Sequence, residues 1–141
     1  MACGLIAFAL SGLLGCSLHS WELTRAPTLF KNTVGSVTVG KLKAGGAGVQ
    51  IDVYHLAAPQ EVAPGSTSFV AWLRPRTGGA LEKLGKLDPR PEGDMPGSTF
   101  TLTASTPHAQ ADFDIFITPE TDAGATLPGH QRLLWASVGS R

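Results

Sequence analysis

Short stretches in which apolar and polar residues alternate at period two constrain this chain more than any other feature. Val49-Gln50-Ile51-Asp52-Val53-Tyr54-His55-Leu56 places Val49, Ile51 and Val53 on one face. Ala109, Ala111, Phe113, Ile115 and Ile117 alternate with Gln110, Asp112 and Asp114. Alternation of this kind describes half-buried strands rather than helices. Five more segments read as short strands: Val34 to Leu42, Thr67 to Leu73 with its aromatic Phe69 and Trp72, Leu81 to Leu87, Thr99 to Thr103, and Gln131 to Val138. In the Leu81 segment the apolar residues at 81, 84 and 87 recur every three positions, a spacing that also suits one helical turn.

The segments between these runs are turn-forming. Ala44-Gly45-Gly46-Ala47-Gly48 supplies residues that accept positive φ, and Pro59 to Pro64 reads as a loop. Asp88 to Gly97 holds Pro89, Pro91 and Pro96, which donate nothing to a strand ladder. Pro64-Gly65-Ser66-Thr67 and Pro96-Gly97-Ser98-Thr99 repeat one solution, a type II turn that starts a Phe-containing strand. Seven strands with one wet face each require two sheets packed face to face. The expected fold is therefore all-β: a two-sheet, immunoglobulin-like β-sandwich of about seven strands, with an eight-stranded barrel as its competitor. Residues 34–141 form this domain.

Charge narrows the function classes. Lys and Arg number 11, and so do Asp and Glu. A surface that releases counterions from nucleic-acid phosphates needs a basic excess, which is missing, so nucleic acid is not an expected partner, and a polybasic membrane patch is excluded for the same reason.

The first eighteen residues contain no charged side chain. The apolar run Leu5 to Leu10 has the length of a secretory h-region. After it, Leu13-Leu14-Gly15-Cys16 resembles the lipobox of bacterial lipoproteins, with Leu three before the Cys and a small residue just before it. The resemblance implies a signal peptide over residues 1–15, cut between Gly15 and Cys16. It also implies a Cys16 thiol alkylated by diacylglycerol, with acyl chains such as palmitate. An uncleaved anchor is the competing reading, and the stretch Met1-Ala2-Cys3 departs from the family in having no Lys or Arg. Ser17 follows Cys16, where Asp would retain a lipoprotein in the inner membrane, so the outer membrane is favoured in a Gram-negative envelope. With Cys3 removed and Cys16 capped, no disulfide or Cys-ligated metal site is expected. Two acyl chains anchor stably, whereas one binds marginally. Residues 16–33 lack a clear period and read as a tether that becomes a strand or packs loosely on the domain.

Ser68-Phe69-Val70-Ala71-Trp72-Leu73-Arg74-Pro75, Leu84-Gly85-Lys86-Leu87 and Phe113 to Glu120, followed by Pro128-Gly129, resemble the extracytoplasmic C-terminal domain of the anti-sigma-K factor family. The resemblance covers residues 50 to 138, with Pro119-Glu120 reversing the family's Glu-Pro order. It implies a β-sandwich outside the cytoplasm, without catalytic residues.

No catalytic set emerges. There is no Gly-x-Ser-x-Gly elbow, and the turn accounts for Ser66 after Gly65. Asp112 and Asp114 lie two apart, as an exposed strand face would place them. His108 shares their parity, but with His55 and His130 it lacks metal-ligand spacing, and no metal or cofactor is expected. Trp72 and Trp135 read as core residues of strands. Tyr54 has two readings, exposed or buried with its hydroxyl on a carbonyl. Trp21 lies outside the strand pattern and is the candidate contact for a partner or membrane interface. The expectation is a non-enzymatic, lipid-anchored envelope protein whose sandwich binds or stabilises another envelope protein. The second reading is a ligand-sensing or carbohydrate-binding module using a sandwich edge or the Asp88 to Pro96 loop.

Overall fold

The computed structural model describes residues 14–29, 31–76, 78–90, 99–107, 112–129 and 131–139, with side chains from residue 18 onward. Within them the chain forms β1 (Leu14–Glu22), β2 (Thr24–Arg25), β3 (Val34–Leu42), β4 (Ala47–Tyr54), the short helix α1 (Pro59–Val62) and β5 (Ser68–Pro75). It continues through β6 (Glu82–Lys86), β7 (Asp88–Arg90), β8 (Thr99–Thr106), β9 (Phe113–Glu120) and β10 (Leu134–Val138). Two antiparallel five-stranded sheets result, in the orders β1-β3-β4-β8-β7 and β2-β10-β9-β5-β6. The fold is a β-sandwich. All seven strands read from the sequence are present, and β1, β2 and β7 are additional.

The three added strands lie at the sheet edges. β1 pairs with β3 and then, past Leu23, the chain crosses to the other sheet, where β2 pairs with β10. The Leu23 amide donates to the Gly35 carbonyl at 2.9 Å, and a Cβ on Gly35 would lie 2.7 Å from a Leu23 methyl. Glycine at 35 is what lets the corner residue pack so closely. On the opposite side β6 pairs with β5, Leu87 turns the corner, and β7 pairs with β8. At each side the chain thus passes from the edge of one sheet to the edge of the other, so β1 and β7 end one sheet and β2 and β6 the other, all of them short or interrupted strands. Residues 14–22 and 24–25 are therefore strand, the first of the two readings of this segment, and the sandwich begins before residue 34. That corrects the expected boundary.

The main core lies between the sheets. Val37, Val49, Ile51 and Val53 from one sheet meet Phe69, Ala71, Leu73, Phe113, Ile115 and Ile117 from the other. Phe69 and Phe100 cross the gap edge to face, with centroids 5.1 Å apart, a geometry worth about 1 kcal/mol beyond burial. The expectation of one wet face per strand fails on β5 and β9. Val70, Trp72 and Phe116 are buried on the outer face of their sheet, with Leu81 and Trp135 packed against them. Alternation identifies which residues share a face, but not that a later segment covers the second face.

Two local details follow from glycine. Gly65 has φ +89, and the Ser66 amide donates to the Ala63 carbonyl at 3.0 Å, giving the type II turn expected for Pro64-Gly65. Gly85, at φ +143, sits at the bulge where β6 shifts register against Ala71 and Trp72. The bulge explains the three-residue spacing in a strand: Leu84 and Leu87 both reach the main core, while Leu81 packs on the outer cluster.

Candidate functional site

The strands place most polar side chains of interest on the outer face of the β1-β3-β4-β8-β7 sheet. Gln50, Asp52 and Tyr54 alternate along β4 on that face, opposite Thr38, Ser36 and Val34 of β3. The Thr103 hydroxyl donates to Gln50 Oε1 at 2.7 Å, and Gln50 Nε2 donates to Thr101 Oγ1 at 3.0 Å and to Asp52 Oδ1 at 3.2 Å. Thr101 in turn donates to Asp52 Oδ1 at 3.0 Å, and Arg90 Nη1 of β7 lies 3.9 Å from the same oxygen. Ser20 and Thr38 share a hydroxyl contact of 2.9 Å. The Ser, Thr and Gln groups thus form a cross-strand lattice whose donors converge on one carboxylate.

One end of this face is apolar. Val34 and Tyr54 are directly paired across β3 and β4, and they are 47% and 43% exposed. The ring of Tyr54 is therefore at the surface, which decides between the two readings of that residue. At the same end a cleft of about 140 Å³ opens between α1 and the backbone around Thr28, Leu29 and Thr33. Thr28, Leu29, Thr33, Ala57, Glu61 and Val62 line it. Thr33 donates from its hydroxyl to the His55 carbonyl at 2.7 Å, and His55 holds a φ of +60. A non-glycine residue in that region costs energy and is kept by its surroundings.

The other sheet carries a buried carboxylate. Glu120 is 3% exposed. Its Oε2 accepts the Thr118 hydroxyl at 2.6 Å and the Gly129 amide at 3.0 Å. Trp72 Nε1 donates to Thr118 Oγ1 at 2.9 Å, so the indole, hydroxyl, carboxylate and amide form one chain. This chain fastens the segment after β9 onto the outer cluster, together with Lys83, whose ammonium donates to the Ala123 carbonyl. Arg132 lies 4.8 Å from the Trp135 ring centroid. Trp72 is fully buried, in keeping with a packing role. No sequence pattern pointed to Glu120, because a carboxylate that takes up a hydroxyl 2 residues before it and an amide 9 residues after it follows no strand or helix period.

The residues singled out from sequence fall as follows. Gly15 and Cys16 lie in β1, and their side chains are outside the described ones. Trp21, also on β1, is half-buried against the main core, 6.0 Å from the His19 ring. It is part of the sheet wall rather than of a projecting tether. Asp112 and Asp114 both meet Arg76, at 3.9 and 2.7 Å. Arg76 also donates to the Phe113 and Val138 carbonyls, so this cluster pins the start of β9 to the end of β10. Asp88, Pro89 and Arg90 of the proposed ligand loop form β7. Residues 91–98, His108 and His130 lie outside the described ones. Among the described residues no three His, Cys, Asp or Glu side chains gather as a metal site, and no helix is long and apolar enough to cross a membrane.

Comparison of the chain with known protein families, characterised proteins and solved structures finds no match.

Proposed function

We propose that this chain is a lipid-anchored bacterial envelope protein whose β-sandwich binds another envelope protein without catalysing a reaction. The lipobox-like Leu13-Leu14-Gly15-Cys16 supports the anchor, and the resemblance to the anti-sigma-K outer domain supports an extracytoplasmic site. Cleavage before Cys16 is compatible with the sheet. It removes one paired position, Leu14 opposite Leu42, and leaves the continuous ladder from Leu18 to Glu22. Ser17 in place of Asp favours the outer membrane in a Gram-negative cell.

The observation that carries the partner reading is the exposed Val34–Tyr54 pair beside the Asp52 lattice. Exposed tyrosine next to a fixed polar array is what protein interfaces use as an anchor. Cys16→Ala tests the first half: the protein should leave the membrane fraction and lose the mass of the lipid. An unchanged fractionation and mass overturns the anchor. For the second half, the native protein is cross-linked in membranes, purified in mild detergent and identified with its companions by mass spectrometry. Tyr54→Ala should reduce recovery of a stoichiometric partner about tenfold. Recovery of the protein alone overturns the partner reading.

A second reading has its own observation. The cleft beside His55 has an apolar floor of Leu29 and Val62 with hydroxyls at Thr28 and Thr33, which suits a small ligand. Chemical-shift changes confined to these residues on titration with small metabolites would favour a ligand sensor.

A further inference from the structure

Strand register determines which end of the sandwich faces the bilayer once Cys16 carries lipid. β1 runs antiparallel to β3, with Leu18 opposite Gly40 and Glu22 opposite Ser36. Cys16 therefore belongs to the end of the molecule that holds the β3–β4 hairpin. The cleft and the Val34–Tyr54 pair belong to the other end. Two steps along the chain, with Ser17 alone between, separate Cys16 from Leu18 of the first continuous pair, a reach of about 7 Å at most. So short a link holds the hairpin end at the headgroups. It leaves the far end about 26 Å away, the length of nine-residue β3 at about 3.3 Å per step.

The charges at this end are arranged to match. Lys41 and Lys43 flank the hairpin, both are exposed, and residues 41–46 contain no acid. Among the described residues the carboxylates at this end are Glu82, Asp112 and Asp114, and none of them lies on the hairpin itself. Glu82 accepts the Thr106 hydroxyl at 2.7 Å, and Asp112 and Asp114 meet Arg76.

We propose that the β3–β4 hairpin is a membrane-contact surface in which Lys41 and Lys43 bind anionic phospholipid headgroups and hold the far end outward. This rests on the lipoprotein reading of Cys16. The acyl chains account for retention, so the lysines set orientation rather than affinity. Each lysine at an anionic surface favours contact about fivefold, and the two together about 25-fold, within a Debye length of the headgroups.

The test uses the full lipoprotein purified from membranes. Ala44→Cys and Glu61→Cys variants each offer one free thiol once Cys3 has left with the signal and Cys16 is acylated. A fluorophore on each thiol is read in phosphatidylcholine vesicles carrying a headgroup-linked quencher, with and without phosphatidylglycerol. The label at 44 should be quenched, and more so with phosphatidylglycerol, while the label at 61 stays bright. Lys41→Gln with Lys43→Gln should lower the phosphatidylglycerol-dependent contact about 25-fold. Equal quenching at 44 and 61, or a phosphatidylglycerol effect that survives the double substitution, overturns the proposal. The mass of the Cys16 peptide is measured first, on the same preparation. An unlipidated Cys16 overturns the reading beneath the proposal, and that failure is distinct from a lipidated protein with the wrong orientation.

Discussion

Ser66 and Glu120 are both buried polar residues near the junction of β5 and β9, and their side chains meet opposite fates. Ser66 Oγ is buried without a hydrogen-bond partner among the described residues, although its backbone closes the Pro64-Gly65 turn. A hydroxyl stranded in this way costs about 1–3 kcal/mol. Ser66→Ala is therefore expected to leave stability unchanged or raise it by about 1 kcal/mol in urea unfolding. A loss larger than that would mean the hydroxyl is satisfied in solution. Glu120 accepts two well-placed donors and links them to Trp72. Glu120→Ala strands the Gly129 amide and the Thr118 hydroxyl, and the expected loss is about 3 kcal/mol. Hydrogen exchange should rise in residues 121–129 before it rises in the strands. An unaltered exchange pattern there would remove the fastening role from this chain. Neither residue stood out in the sequence. A Ser after Pro-Gly reads as turn chemistry, and Glu120 falls in the stretch Pro119 to Gly129 that reads as a loop.

The hairpin between β3 and β4 shows what was legible at the scale of elements. The glycine cluster after Ala44 marks a turn in the sequence, and Gly45 and Gly46 adopt φ of +99 and +77. The reason Gly46 in particular must be glycine is tertiary. A Cβ there would lie 2.3 Å from the Thr106 carbonyl oxygen, on a strand 60 residues later. Gly46→Ala combines that backbone clash with left-handed strain, so the expected destabilisation is about 3 kcal/mol or more, read as a lower Tm. Gly45→Ala has the strain but open space, and about 1 kcal/mol is expected. Equal effects from the two would show that the clash is relieved by a small shift of β8. β4 was readable because burial on one face writes itself into alternation, and the other six expected strands because their apolar or β-branched runs are bounded by turn residues. β1, β2 and β7 were not. β1 shifts register between Leu14 and Leu18, β2 is two residues long, and β7 carries Pro89. Proline is tolerated there because β7 lies at the end of its sheet order. Corner strands owe their pairing to two different sheets, and no local period records that.

At the scale of the whole molecule, β1 and β2 act as a strap. They tie β3 in one sheet to β10 in the other, and Trp21 packs inward on the main core. The sequence reads residues 16–33 as a tether that becomes a strand or packs loosely on a domain beginning at residue 34. The structure assigns it a wall. The two views differ in a measurable way. A chain of residues 17–141 keeps the continuous ladder, whereas a chain of residues 24–141 loses it and uncovers the unpaired backbone groups of β3. Exposed strand edges associate. The longer chain is expected to be a cooperative monomer. The shorter one loses at least about 3 kcal/mol, roughly 10 °C in Tm at this length, and forms dimers or larger species in sedimentation velocity. If residues 24–141 remain monomeric with the same Tm, β1 contributes no stability and is a tether after all. Cys16 would then be free of the register that orients it, and the hairpin would lose its fixed place at the membrane. The outcome therefore decides both how the sandwich is closed and whether its anchor can aim it.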